Sequence, residues 1–268
     1  MNQSFQALTD SQWQVIQQIL DDKRHRWHSL RDIINAILWL NYTEVQWREL
    51  PKMTGDKLPW QTVYYHFRQF KLRGVWEQLL DSLVVRERKR QQREDTPSLL
   101  AIDSQSVKIM QFIDEEIGID ANKKINGRKR SIAVDRPGLP WSIAVTAANV
   151  SDTEAGRLVV DRLQGKVPRL EVIAADHGYK VSFIEHVERQ YGWKVEIVQK
   201  PESGRGFVPE KNRWMVERSF GCGSPPGLNF RPVRRCGRLF RDVDKTIESS
   251  EAMLRIGFIS ILLNRLTK

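Results

Sequence analysis

The hydrophobic pattern of the first 95 residues has the period of helices. Thr9 and Gln12 form a capping-box pattern, and apolar residues follow at three- and four-residue spacing. A second amphipathic run, SLRDIINAILWLNY, precedes a short WREL segment, the turn PKMTGDKLP and a long helix beginning near TVYYHFRQF. Short helices with a tight turn before an aromatic- and arginine-bearing helix predict a helix-turn-helix-like module. The basic stretch RERKRQQRED, residues 86–95, is predicted to be a solvated linker.

From about residue 97 the pattern changes to short apolar strands. Three β-rich runs, SLLAIDSQSVKIM, RKRSIAVDRPG and LPWSIAVTAANV, come first, and PGLP joins the last two as a hairpin turn. A helix with a capping box at Ser151 and Glu154 follows, then the strand LEVIAAD, a helix starting at Ser182 with a further capping box, and the strand WKVEIVQ. This β-β-β-α-β-α-β order predicts an α/β fold: a mixed sheet flanked by helices, with its antiparallel strands first.

The two patterns predict two domains, an all-α domain with its linker over residues 1–95 and an α/β domain over residues 96–268. A hydrophobic fraction of 40% supports a real core, and no run of residues is long and apolar enough to cross a membrane. The N-terminus has no secretory pattern, and two cysteines cannot build a disulfide framework. We expect a cytoplasmic protein.

Charge narrows the range of partners. Lys and Arg total 43 against 33 Asp and Glu, a net charge of +10. Such an excess points to a polyanionic partner, usually nucleic acid, although a merely basic soluble protein would show the same balance.

Carboxylates sit at two of the predicted strands. Asp103 ends or interrupts the apolar run SLLAI, and Asp176 ends VIAA. If these strands are neighbours, the two carboxylates lie about 5 Å apart and repel each other unless a cation lies between them. Mg²⁺ prefers such oxygen ligands, and Glu217, flanked by Arg213 and Arg218, offers a third. Three acidic groups around one or two divalent ions suit phosphoryl transfer at DNA.

With these residues in place, the chain resembles the DDE transposases of bacterial insertion sequences, which have an RNase H-like catalytic domain. The resemblance covers nearly the whole chain, through LTDSQWQVIQQIL, WRELP, PWQTVYYHFRQF, AIDSQSVK, GRKRSIAVDRPGLPWSIAVTAANVSD, IAADHGYK, RWMVERSFG and SSEAMLRIGFISILLNRL. The acidic residues of the family match Asp103, Asp176 and Glu217, and Arg213 matches a basic position of the helix that carries the Glu.

The resemblance implies a metal-dependent enzyme that binds the terminal inverted repeats of its element, then cleaves and joins DNA. It implies Mg²⁺ or Mn²⁺, with two ions, at the three acidic residues. It also implies a homodimer or higher oligomer on terminal-repeat and target DNA, at the nucleoid of a bacterial cytoplasm. The predicted DNA contacts are Arg68, Lys71, Arg73, Lys123, Lys124, Arg128, Lys129, Arg130, Arg213 and Arg218.

Other candidate residues have a structural interpretation beside the functional one. Asp135 follows a strand but precedes Arg-Pro-Gly, so a turn role is favoured over a catalytic one. His177 could contact phosphate or metal, and a supporting or surface position is favoured. The cluster NKKINGRKR grips phosphates or forms a solvated loop, and the sequence does not decide between these. Four tryptophans are expected in the core rather than stacked on bases: Trp39, Trp47, Trp60 and Trp76.

The chain departs from the family pattern after Glu217. The two prolines of CGSPPG are expected to end any helix within about a turn of Glu217, and both cysteines lie in the same region. It resembles an insertion or an altered reading frame. Two alternatives therefore stay open: a catalytically impaired, transposase-derived DNA-binding protein, and a cellular RNase H-like nuclease, which would not need the N-terminal module.

Overall fold

The structure is a computed structural model, and it describes residues 5–22, 24–54, 57–197 and 236–267. None of the helices in these ranges combines the length and the apolar character that a membrane crossing needs. The chain divides into two compact units, which are Met1–Gln92 with Pro232–Val243 and Glu248–Lys268, and Arg93–Arg231 with Asp244–Ile247.

Helices build the first unit, as the hydrophobic period predicted. The predicted capping box is present, since the Thr9 side chain accepts from the Gln12 N–H and the Gln12 side chain accepts from the Thr9 N–H. The second helix contributes Ile33, Ile37 and Leu40 to the core, all fully buried. The N-terminal helices are α1 Asp10–Leu20, α2 Leu30–Thr43, α3 Pro51–Thr54, α4 Trp60–Leu72 and α5 Val75–Arg90, with a 3-10 turn at Trp47–Glu49.

The predicted long helix is in fact two helices, α4 and α5. Gly74 separates them with a φ of +67°, a left-handed conformation that glycine adopts without strain and that does not continue an α-helix. Pro51 begins the short helix α3 where the sequence predicted only a turn. Proline suits this first helical position because its missing N–H would have no helical partner there.

Residues 86–90 belong to α5, so the prediction of a solvated linker is wrong for them. Glu87 is fully buried and accepts hydrogen bonds from Arg90 Nε and Nη2 at 2.8 and 2.9 Å, and Arg88 is also buried. Residues 92–95, which follow the helix, are exposed. The Glu87–Arg90 pair therefore lies within a helix, in a stretch whose composition alone predicted a solvated linker.

The last helix, α8 Ile247–Leu266, is apolar on all sides and buried along most of its length. Its residues from Glu248 onward pack in the first unit, where Asn41 Nδ2 donates to the Met253 carbonyl at 2.7 Å. Gly257 allows a close approach, since a Cβ there would lie 2.6 Å from Leu239 Cδ1. The last helix therefore belongs to the unit of the N-terminal helices, although it lies at the other end of the sequence. The division of function between residues 1–95 and 96–268 stays a prediction.

A six-stranded mixed sheet forms the second unit. Its main order is β4-β3-β1-β5-β6: β1, β3 and β4 are antiparallel neighbours, and β1, β5 and β6 run parallel. The short strand β2, which the sequence did not predict, pairs with the start of β3. Three antiparallel strands followed by parallel ones confirm the RNase H-like α/β fold. The strands are β1 Leu99–Lys108, β2 Gly118–Asp120, β3 Ile125–Asp135, β4 Pro140–Ala147, β5 Val172–Ala175 and β6 Lys194–Ile197.

Two helices of the second unit follow the strands as predicted, α6 Asp152–Asp161 and α7 Val181–Tyr191. The capping box between Ser151 and Glu154 is present at the start of α6. The further box predicted at Ser182 is wrong, because α7 begins one residue earlier and Lys180 occupies the cap position without a side-chain bond. The Lys180 backbone N–H donates instead to Thr153 Oγ1, in the first turn of α6, at 3.1 Å.

Candidate active site

The strands that carry the two predicted aspartates are parallel neighbours, as the sequence analysis required. Ala101 and Ala174 form the last residue pair between β1 and β5. Asp103 lies two residues beyond Ala101, and Asp176 lies two residues beyond Ala174. Equal offsets from one register pair put the two aspartates side by side on adjacent strands. β1 itself continues past Asp103, which pairs with Ile132 of β3 and so does not end the strand.

Asp103 occupies the more enclosed of the two positions. Its Oδ1 accepts the Ser104 backbone N–H at 2.7 Å, and the side chain is part-buried. Burial raises the pKa of Asp103 to about 7; the Ser104 bond opposes that rise, and the charge of Asp176 adds to it. Burial and like charge both oppose ionisation of this carboxyl. A cation at this position would offset both effects.

Asp176 is exposed and begins a tight turn. The Gly178 N–H donates to Asp176 Oδ1 at 2.9 Å, and the Tyr179 N–H donates to the Asp176 carbonyl at 3.2 Å. A Cβ at position 178 would lie 3.0 Å from both Asp176 Oδ1 and Asp152 Oδ2. Glycine therefore leaves the space that the two carboxylates share.

A third acidic residue at this place, Asp152, was missed by the sequence analysis. It is the first residue of α6, and its Oδ1 accepts from Ser104 Oγ at 2.7 Å and pairs with Lys129 Nζ at 2.9 Å. The available signal was an acid after β4, within the capping box of α6. It was interpreted only as a helix start.

Tyr179 places a buried hydroxyl close to the three carboxylates. Its ring contacts Phe183 at a centroid distance of 4.9 Å, and a Cβ on Gly156 would come within 2.5 Å of its Cε1. The hydroxyl oxygen is buried and has no hydrogen-bond partner among the residues that the structure describes. Burial first, then the charges of Asp103, Asp152 and Asp176, raises the pKa of Tyr179 well above its ordinary value.

These residues fit a divalent cation. Carboxylate oxygens are the ligands of hard ions such as Mg²⁺. Burial, with the charge of Asp176 added to it, raises the pKa of Asp103, and added positive charge would offset both effects. Gly178 leaves space beside Asp152 and Asp176, and the Tyr179 hydroxyl has no hydrogen-bond partner among the described residues. In the described part of the chain, no three His, Cys, Asp or Glu side chains are already arranged around a metal position.

Part of the predicted site lies outside the described residues. Glu217, Arg213 and Arg218 fall there, as do Cys222 and the segment CGSPPG. The other cysteine, Cys236, is buried, and burial raises the pKa of its thiol to about 12. A buried thiol with so high a pKa stays protonated at neutral pH and does not act as a nucleophile.

The predicted phosphate contacts on β3 are buried, which corrects that interpretation. Arg128 is fully buried and donates to the backbone carbonyls of Glu115 and Glu116, and to those of Asp244 and Lys245. Lys129 is buried against Asp152 and the Val150 carbonyl, and Arg130 is 2% exposed. Arg128 and Lys129 therefore contact carbonyl and carboxylate groups of the protein rather than solvent.

The remaining basic candidates reach solvent. Lys123 and Lys124 are exposed in the turn between β2 and β3, and the charge of Lys123 opposes the rise in the pKa of Asp103. Arg68 on α4 and Arg73 just after it are exposed as well. Lys71 is half-buried and donates to Ser249 Oγ at 3.0 Å. Their role in DNA binding stays a prediction.

The structure also describes the residues for which the sequence offered both a structural and a functional role. Asp135 is buried in the β3–β4 hairpin and accepts from the Leu139 N–H and the Trp141 indole N–H, which is the favoured turn role. His177 is exposed beside Asp176. Trp76 is buried in the core, whereas the other three tryptophans are half-buried: Trp39, Trp47 and Trp60.

Two family models match the chain. Residues 8–80 match a family described as transposases of the IS4/5 family (DUF4096), and residues 94–224 match the transposase DDE domain. The second match spans the positions of Asp103, Asp176 and Glu217.

Comparison with solved structures finds transposase complexes at low identity. The Mos1 transposase paired-end complex with left transposon end is 13% identical, covers 65% of this chain and has a TM-score of 0.25; this chain spans 61% of it. The Mos1 mariner paired-end complex with Mn is 11% identical and has a TM-score of 0.31; the match covers 93% of this chain and 81% of that one. No curated protein matches.

Proposed function

The chain belongs to the DDE transposases of insertion sequences, and from that membership we propose that it cleaves and joins DNA at the ends of its element. Asp103, Asp176 and Glu217 are the proposed catalytic carboxylates. One observation carries the proposal: Asp103 and Asp176 lie at equal offsets from the Ala101–Ala174 register pair, on adjacent parallel strands.

The same three residues would hold one or two Mg²⁺ or Mn²⁺ ions, which when bound activate the attacking oxygen and stabilise the leaving oxygen. The chain contributes the orientation of the carboxylates. The Ser104 N–H donates to one oxygen of Asp103, and the Gly178 N–H donates to one oxygen of Asp176. Ligands that backbone N–H groups already hold need little reorganisation as the reaction proceeds. The attacking groups are water for cleavage and a DNA 3′-OH for joining.

We further propose that the helical N-terminal region binds the terminal inverted repeats. α4 carries no acidic residue, and Arg68 and Arg73 are exposed on or directly after it. Because each phosphate contact releases a counterion, binding should weaken steeply as salt rises. Cutting two element ends together favours a homodimer or higher oligomer, which acts on terminal-repeat and target DNA at the bacterial nucleoid.

The test is strand nicking of a labelled terminal-repeat duplex with Mg²⁺ or Mn²⁺. Asp103→Asn, Asp176→Asn and Glu217→Gln keep side-chain size but remove a ligand charge, so each should reduce nicking by about a thousandfold or more. Binding of the same duplex should stay within about threefold, since the predicted end contacts lie elsewhere.

Asp135→Asn is the matched control, because Asp135 serves the β3–β4 hairpin. Equal loss of nicking in this control and in Asp176→Asn would refute the site assignment. If the unaltered chain binds terminal repeats but never nicks them, the catalytically impaired DNA-binding protein is the better description. The sequence departure at CGSPPG favours that second candidate.

A further inference from the structure

Asp152 contacts β1 and faces the turn after β5, the two segments that carry the proposed catalytic aspartates. On one side, its Oδ1 accepts from Ser104 Oγ at 2.7 Å, and Ser104 is the residue whose N–H holds Asp103. On the other side, its Oδ2 faces Gly178, whose N–H holds Asp176. One carboxylate therefore contacts the residue that supports Asp103 and faces the residue that supports Asp176.

A buried ammonium group fixes Asp152 in this position. Lys129 Nζ lies 2.9 Å from Asp152 Oδ1 and 2.7 Å from the Val150 carbonyl, and the Lys129 side chain is only 7% exposed. Asp152 also begins α6, where the helix dipole favours a negative charge. The ion pair and the helix N-terminus together restrict the orientation of the carboxylate.

The Tyr179 hydroxyl gives an independent sign that this cluster serves a ligand. It is buried, it lacks a partner among the described residues, and the charges of all three aspartates act on it. A buried donor without an acceptor costs free energy in the folded protein unless the assembled site supplies one. The described residues around Asp152 thus leave one buried hydroxyl that a group outside them would satisfy.

We propose that Asp152 is a positioning residue, which through Ser104 and the Gly178 turn sets the separation and orientation of Asp103 and Asp176 for divalent-cation binding. The proposal rests on the proposed function of these two aspartates. A purely structural explanation, in which Asp152 only neutralises Lys129, accounts for the ion pair. It does not account for the bond to Ser104 or for the shared space at Gly178.

The experiment is a Mn²⁺ titration of the full chain without DNA, followed by electron paramagnetic resonance. Asp152→Asn should weaken Mn²⁺ binding by about 10- to 100-fold, the usual effect of removing a partner that orients metal ligands. Ser104→Ala keeps every charge and removes only the hydroxyl link, and it should weaken binding in the same direction. Asp161→Asn is the control: this residue ends the same helix and accepts from His186 and Tyr191, away from Gly178.

Thermal unfolding of each variant separates positioning from folding. If Mn²⁺ affinity falls in Asp152→Asn and in Ser104→Ala while Asp161→Asn binds as the unaltered chain does, the proposal holds. Unchanged affinity in Ser104→Ala overturns it, because Asp152 would then act through charge alone. Ser104→Ala also decides the matter should Asp152→Asn fail to fold.

Metal-dependent nicking gives a second readout. Raising the Mn²⁺ concentration should restore nicking in Ser104→Ala, because the defect lies in assembling the ligands, whereas Asp103→Asn should not recover. An unaltered chain that binds no Mn²⁺ would remove the proposed function itself. Normal Mn²⁺ binding in the unaltered chain and in both variants would remove only the positioning role.

Discussion

Two basic regions of this chain, α4 and β3, look alike in the sequence and differ completely in the structure. Arg68 and Arg73 lie exposed on or next to α4. On β3, Arg128, Lys129 and Arg130 are buried, and Arg128 donates to four backbone carbonyls. Burying a charge is costly unless it is paired and hydrogen-bonded, so the segments around β3 supply partners that the exposed residues of α4 do not need. A run of positive charge therefore indicates a DNA contact only where solvent reaches it.

The largest expected effect comes from the buried region. Arg128→Met removes four hydrogen-bond donations and leaves the carbonyl groups of Glu115, Glu116, Asp244 and Lys245 without that donor, so the free energy of unfolding should fall by about 3 kcal/mol or more. Arg68→Met makes the same chemical change on α4 and should alter stability by less than about 0.5 kcal/mol. Urea unfolding measures both. Equal losses of unfolding free energy in the two variants would contradict the conclusion that the arginine on β3 stabilises the fold and the one on α4 does not.

The exposed region should show its effect in DNA binding. Arg68→Ala and Arg73→Ala should each lower the slope of log affinity against log salt by about 1, which is about a tenfold loss near 0.1 M salt. Fluorescence anisotropy on a terminal-repeat duplex over a salt series measures this with the full chain. Folded Arg128→Lys protein should keep the original slope. A larger slope change in Arg128→Lys than in Arg68→Ala would reverse the comparison.

The break before α5 offers a smaller effect. Gly74 has a φ of +67° with no atom within 4 Å of the position of an added Cβ. Gly74→Ala should therefore lower stability by about 1 kcal/mol through backbone strain alone. Thermal unfolding checks this. A stabilised variant would mean that α4 and α5 tolerate a continuous helix.

The smallest effect concerns the acid inside the third basic run, 86–90. Burial acts to raise the pKa of Glu87, but hydrogen bonds from Arg90 and Gln91 together outweigh burial and hold that pKa below its ordinary value. A lowered pKa means that the ionised pair stabilises the fold above the ordinary pKa and loses this as pH falls through the folded-state value. Glu87→Gln should cost about 0.5 kcal/mol at pH 7, as helix ion pairs do.

That difference should shrink as the pH falls from about 5 toward 3, because a protonated Glu87 and the glutamine of the variant are both neutral. Urea unfolding of the variant and the unaltered chain at each pH supplies the measurement. A difference that stays constant across this range would show that packing, rather than charge, makes residue 87 important.

Much of the fold follows from local sequence. The capping boxes at Thr9 and Ser151 and the β3–β4 hairpin depend on residues a few positions apart, whose backbone preferences act without the rest of the chain. The equal placement of Asp103 and Asp176 at apolar strands was also visible, because strand period and turn chemistry are local. These signals were enough to predict the α/β order and the two aspartates.

Only the tertiary structure decided which polar groups meet. Arg128 contacts Asp244 across more than a hundred residues, Asp152 meets Lys129 and Ser104 from three different elements, and α8 packs among the N-terminal helices. Such contacts depend on which elements become neighbours, and hydrophobic period does not specify that. The sequence therefore determined most of the elements and the two aspartates at apolar strands, whereas the packing of distant elements determined which charges are buried and which reach solvent.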